Sequence, residues 1–167
     1  MLRLGLPIAA VVALLDQLSK WWVVETLFRP AGMTQTPFYT PVRIALAPVF
    51  NLVLTWNRGV SFSLLNHQTD WNVVVLSTLS LAIAAGLTVW LARVERRRLA
   101  LALGLVIGGA VGNVIDRIRF GAVADFLDVH VGLWHWPAFN LADSAITVGA
   151  VIIVLDSLFA PRTSSKN

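Results

Sequence analysis

Cysteine is absent from this chain. That excludes a disulfide frame, a thiolate nucleophile and any cysteine metal site. Charge is also scarce: Asp, Glu, Lys and Arg make up 13% of the residues, about half of what a soluble domain carries. With 57% hydrophobic residues, a soluble chain could not cover its own surface with polar groups. The HExxH and GxSxG patterns are missing, and with them the helical zinc-hydrolase site and the serine nucleophile elbow. The histidines His67, His130 and His135 all lie between the apolar runs. His130 with His135 is a weak metal pattern, and no metal or organic cofactor is expected. Internal repeats are missing too, and the only loose polar stretch is the tail at residues 163–167.

What the chain has is apolar sequence, with a mean hydropathy of +0.74 over a single-domain length of 167 residues. Four runs, at about 4–27, 71–92, 99–116 and 141–160, come close to or exceed the roughly 20 residues that cross a bilayer core. The first follows Arg3 and could mimic a secretory signal. Asp16 and Lys20 interrupt it and no small-x-small cleavage site follows, so an uncleaved helix is expected. The third is short and carries Gly104, Gly108, Gly109 and Gly112. Gly108-x-x-x-Gly112 is a small-residue face suited to close helix packing.

Basic residues set the expected orientation. Arg93, Arg96, Arg97 and Arg98 crowd the link at 93–98, Arg3 precedes the first run, and Arg162 and Lys166 follow the fourth. These segments, and so both termini, should be cytoplasmic. Placed this way, the net charge of +4 reads as a topology signal and not as a nucleic-acid footprint. Trp21, Trp22, Trp56, Trp71, Trp134 and Trp136 then fall at the outer face, and Trp90 at the inner one. The outer connections are 28–70 and 117–140. The first holds Pro30, Pro37 and Pro41, then a stretch at 49–57 with Phe50, Leu52, Leu54 and Trp56 at period two. That alternation predicts a strand. Gly59 breaks it, and 60–65 fits a short amphipathic helix on the membrane surface. Residues 123–131 read as a second strand before a turn at Gly132, the two pairing into a small sheet.

The unusual polar residues converge on one level. Asp16 lies about 18 Å up the first run at 1.5 Å per residue. Lys20, one turn on, can snorkel outward, and the i, i+4 spacing lets the two pair; a buried Asp16–Lys20 ion pair that ties the first run to the site is expected. Asn113 and Asp116 end the third run with Arg117 just beyond, Asn140 and Asp143 begin the fourth, and Asn57 and Asp125 lie in the outer connections. Ionisable groups at membrane depth are functional candidates. Each also has a plainer role. Asn140 and Asp143 fit a helix N-cap and its N3 acid, and Asp125 alone fits a strand-edge carboxylate. Asp116 opposes the helix dipole and needs a partner, for which Arg117 is nearest in sequence. Asp156 near the inner end of the fourth run is expected to be interfacial and without a role in the chemistry.

The segment 123–144, VADFLDVHVGLWHWPAFNLADS, joins two acids, Asp125 and Asp143, by a short loop. Two carboxylates held close share a proton. One then takes a proton from water while the other polarises a carbonyl, which is amide hydrolysis by an aspartic dyad. A Ser–Lys dyad of Lys20 with Ser61 or Ser63 has no support in the spacing. Two other classes remain open: a small carrier or proton channel with Asp16, Lys20 and Asp116 as relay, and a non-catalytic subunit that packs through Gly108 and Gly112.

Five ordered motifs carry a resemblance that covers nearly the whole chain: DQLSK at 16–20, WNRGVSFS at 56–63, GNVIDR at 112–117, VADF at 123–126 and FNLADS at 139–144. In these the chain resembles the lipoprotein signal peptidases (signal peptidase II), bacterial membrane aspartic peptidases. Trp56 stands where tyrosine is common in that family, and residues 58–60 differ from its usual small residues. The resemblance implies four transmembrane helices with a small periplasmic β-sheet and a short amphipathic periplasmic helix, set in the inner membrane with the active site at the periplasmic face. It implies Asp125 and Asp143 as the catalytic pair. Asn57, Asn113, Arg117 and Asn140 would orient substrate and dyad, and Asp16, Lys20, Gly59 and Asp116 would support the site. The implied substrate is a prolipoprotein carrying diacylglycerol on its cysteine, cut just before that residue. Membrane lipid is the other expected partner, nucleic acid is not, and the enzyme is expected to be a monomer.

Overall fold

The computed structural model describes residues 1–34, 36, 42–59 and 71–159. Helix α1 (Leu2–Trp21) continues through a π-helical stretch, Trp22–Leu27. Helices α2 (Trp71–Arg93), α3 (Arg97–Phe120) and α4 (Leu141–Phe159) complete four segments long and apolar enough to cross a membrane. The chain is thus an α-helical integral membrane protein. The third helix runs beyond the expected 99–116 at both ends, and its last turn is capped by Gly121. That glycine sits at φ 71° and donates its N–H to the Arg117 carbonyl at 3.0 Å, the left-handed residue that ends a helix. The chain then turns directly into a strand.

Helix α3 is the hub. Gly104 and Gly108 lie against the α1 backbone at Gly5 and Ala9, while Gly109 lies against the Ala142 carbonyl of α4. Gly149 of α4 returns the contact against Ala102. Side chains this small let helix backbones meet where lipid offers no hydrophobic push. The Gly108-x-x-x-Gly112 face is therefore consumed within the chain. Outward, the helices show leucine and valine, among them Leu14, Leu18, Val75, Leu79, Val151 and Leu158.

Between helices α3 and α4 and after α1 the chain builds one antiparallel sheet in the order β1 (Ile44–Ala47), β2 (Phe50–Asn57), β3 (Val123–Val131), β4 (Trp134–His135). The strands expected at 49–57 and 123–131 are present, with Thr55 opposite Asp125 and Asn57 opposite Val123. The helix expected at 60–65 lies outside the described residues. Two apolar clusters result. Ala9, Ala84, Leu91, Ala100, Leu103 and Ile107 fill the bundle. Val23, Val24 and Phe28 pack on Leu52, Leu54, Ala124 and Phe126 and seat the sheet on the end of the first segment.

A side chain at Gly108 would meet the Ala9 backbone. Gly108→Leu is therefore expected to cost about 1–3 kcal/mol, read as a lowered Tm of the detergent-solubilised protein, whereas Gly86→Ala, inside α2 and facing open space, should hold or raise Tm.

Candidate active site

Between the two apolar clusters lies a polar layer, and its anchor is Lys20. The Lys20 ammonium is 2.8 Å from Asp16 and 2.8 Å from Asp116, and donates to Asn113 Oδ1 at 3.1 Å. Its three N–H groups thus have three acceptors. Lys20 is 2% exposed and both acids are 0% exposed. The expected buried Asp16–Lys20 pair is present, and Lys20 does not snorkel outward, because the two carboxylates on α1 and α3 hold it in the bundle. Asp116 likewise takes Lys20, not Arg117, as its ionic partner. Its Oδ2 also accepts the Ala124 N–H of β3 at 3.1 Å, and Asp16 Oδ1 accepts the Ala142 N–H of α4 at 3.0 Å. The pair of acids therefore grips the start of β3 and the start of α4.

Gln17 belongs to the same layer, and sequence reasoning passed it over. Its amide N–H groups reach Asp116 Oδ1 at 2.8 Å and the Gly112 carbonyl at 3.1 Å. The available signal was a third polar residue in the interrupted apolar run of α1.

Three asparagines then connect this layer to the two acids of 123–144. Asn113 takes the Lys20 and Asn140 donors on its oxygen, which turns its Nδ2 toward Asp143 Oδ1 at 2.8 Å. Asn140 is 0% exposed and donates to Asp125 Oδ1 at 2.7 Å. Asn57 donates to the other Asp125 oxygen at 3.0 Å. The Asn57 amide is aimed by Gly59, which returns its N–H to Asn57 Oδ1 at 2.9 Å from a φ of 97°, a conformation that favours glycine.

Asn140 and Asp143 also form a reciprocal helix cap. The Asp143 N–H donates to Asn140 Oδ1 at 2.9 Å, and the Asn140 N–H donates to Asp143 Oδ2 at 3.2 Å. The plain capping role and the site geometry are thus the same atoms. Asp125 is brought alongside by backbone pairing: the Phe139 carbonyl accepts the N–H groups of Phe126 and Leu127, and the Phe139 N–H returns to Leu127. Both acids are consequently attached to Asn140. Burial, with the Asp143 charge adding to it and amide hydrogen bonds opposing it, pushes the Asp125 carboxyl up to about 6.

Arg117 faces Asp143, Asp116 and Asp125. Its Nη1 makes a long 3.4 Å bond to the Asn113 carbonyl, and its buried Nε has no partner among the described residues. Ser61 and Ser63 lie outside the described residues. Asp156 pairs with Arg96 at 2.8 Å at the opposite end of the bundle.

His130 and His135 are used structurally. His135 Nδ1 lies 2.8 Å from Asp128 Oδ1, Asn51 donates to Asp128 Oδ2 at 2.7 Å, and His130 stacks on His135. Burial raises Asp128, but those hydrogen bonds, with the His135 and Arg43 charges, hold it below its ordinary value. This staple joins β2, β3 and β4. No cluster of three or more His, Cys, Asp or Glu suited to a metal occurs among the described residues.

Four membrane-length helices enclosing an ionisable layer define a polytopic membrane protein with one polar site at one end of its bundle. Two solved structures of a bacterial membrane enzyme, determined in meso at 2.3 and 1.9 Å, share this fold. The first covers 98% of this chain and 93% of its own, at TM-score 0.73 and 23% identity. The second covers 93% of each at TM-score 0.75 and 24% identity. The sequence model for signal peptidase (SPase) II matches residues 8–159. Proteins named lipoprotein signal peptidase in Paraburkholderia phymatum and Burkholderia mallei are each 46% identical over 154 residues, spanning 92% of this chain and 86% of theirs. The chain belongs to the signal peptidase II family, and is a membrane peptidase.

Removing Lys20 would strand two buried carboxylates. Lys20→Met is expected to destabilise by about 3–5 kcal/mol, measured by thermal unfolding in detergent, and the Asp16→Asn, Lys20→Met double variant should recover part of that loss.

Proposed function

We propose that the protein is an aspartic endopeptidase that removes signal peptides from diacylglyceryl-modified prolipoproteins, with Asp125 and Asp143 as the catalytic pair. The observation that carries this reading is Asn140, whose side chain holds Asp125 while its cap holds Asp143. Like charges in that position favour one shared proton. The raised Asp125 is the partner that retains it in the free site. Asp143 then takes a proton from water, and the hydroxide forms a C–O bond to the scissile carbonyl. Asp125 gives its proton to the carbonyl oxygen. Collapse of the tetrahedral species breaks the C–N bond: the proton held by Asp143 passes to the leaving nitrogen, and as the C=O re-forms one hydroxyl proton returns to Asp125.

Arg117, with a free Nε, and the amides of Asn57 and Asn113 are suited to hold the substrate backbone. Asp16, Lys20, Gly59 and Asp116 support the pair. The scissile bond precedes the lipidated cysteine, whose lipid stays in the bilayer. The basic segments and the tryptophans favour cytoplasmic termini, spans near 4–27, 71–92, 99–116 and 141–160, and a site at the periplasmic face of the inner membrane. The proposed partners are the lipid-modified precursors and membrane lipid, met by a monomer whose small-residue faces are already occupied internally. The polar residues form one layer and not a path through the membrane, so a carrier has less support.

Asp125→Asn and Asp143→Asn should each lower cleavage of a synthetic lipid-modified precursor on the order of 10²–10⁴-fold with folding intact. The double variant should be little worse than either, since the two act as a unit. Undiminished turnover in a single variant would overturn the dyad.

The pH dependence has a definite sign. Between the ordinary carboxylate value and about 6 the native Asp125 keeps a proton that the unfolded chain has lost, so its contribution to stability falls as pH rises through that window. Infrared titration should show the protonated Asp125 carboxyl disappearing near pH 6, and at lower pH in Asp143→Asn, where the repelling charge is gone.

A further inference from the structure

A groove of about 480 Å³ runs between helix α4 and the loop that returns from the sheet. One wall is Trp136, Pro137 and Phe139; the other is Thr147 and Val148, and Asp143 stands at its end. Thr147 lies four residues beyond Asp143, on the same helical face. The loop therefore leans along the side of α4, down to its second turn, and does not merely cap its end. Below the groove the same side of α4 stays uncovered: Val148, Val151 and Leu155 are 52%, 51% and 46% exposed. Ala142 and Gly149 face the opposite way, into α3. An apolar track thus leads along a membrane-spanning helix directly to one of the two acids.

We propose that this groove binds one acyl chain of the substrate's diacylglyceryl group. The inference rests on the prolipoprotein peptidase reading given above. A chain lying along α4 would have its glycerol end beside Asp143, so the lipid, and not the peptide alone, would set the scissile bond over the acids. The track from Asp143 to Leu158 is about 22 Å long at 1.5 Å per residue, enough for a long fatty chain. Trp136 is 56% exposed and its indole suits the interface at the groove's mouth. Bulk phospholipid has the same chains but no peptide to engage the amides around Asp125, which is why the substrate is the assigned occupant.

The test uses the full-length enzyme and a synthetic precursor peptide with a diacylglyceryl cysteine. Val148→Trp and Thr147→Trp fill the groove without touching the acids. Each should raise KM about tenfold, the effect of roughly two methylenes kept from burial, with kcat little changed, while Leu81→Trp on an exposed face of α2 should leave KM alone. A precursor with a diazirine in its acyl chain, bound to Asp125→Asn enzyme, should label 147–155 of α4. A phospholipid with the same diazirine should not compete. Unchanged KM in both groove variants, labelling elsewhere, or labelling by the phospholipid in preference to the precursor would overturn the assignment. Failure of the wild-type enzyme to cut the lipidated precursor at all would instead remove the peptidase reading.

Discussion

The Lys20 ammonium is the interaction on which the rest depends. A lone charge in a bundle interior is strongly penalised. Here three N–H groups meet Asp16, Asp116 and Asn113, so every donor is matched. The two carboxylates have oxygen positions to spare, and these reach the first backbone N–H groups of β3 and α4. One ion cluster therefore fixes where the sheet leaves the bundle and where the fourth helix starts. The buried pair is weak evidence of net stability. Its value lies in the uniqueness of the arrangement it imposes.

From that anchor the geometry propagates through amides. Each asparagine has an oxygen and a nitrogen that must both be placed. Asn113 is turned by Lys20, Asn140 by its helix cap, and Asn57 by the left-handed Gly59. The acids are thus oriented by groups whose own orientation is already decided. The staple of Asn51, Asp128 and His135 fastens the loop between the acids from the sheet side.

Much of this was legible in the sequence because membrane proteins advertise their exceptions. Apolar runs of spanning length gave four helices, and period-two apolar residues gave β2. Polar residues inside or just beyond those runs picked out the ion layer and the two acids. The partner of Asp116 was not legible. Arg117 is adjacent in sequence, but adjacent helical side chains point 100° apart, while Lys20 arrives across the small-residue contact between α1 and α3. The same packing hid Gln17, since nothing in one helix announces the carbonyl it meets on another. The groove along α4 was also out of reach, because it depends on how far a loop leans and not on which residues it contains.

The amides have a consequence for where protons can go. An asparagine can accept and donate hydrogen bonds, but it does not take up and release a proton as a carboxylate does. Asn113 stands between the Lys20 cluster and Asp143. Beneath them the packed apolar cluster of Leu91, Leu103 and Ile107 offers no ionisable group. Among the described residues, the buried ionisable groups Asp16, Lys20, Asp116, Asp125 and Asp128 all lie outside that cluster, so a proton exchanged at the two acids has no chain of ionisable groups to follow through it.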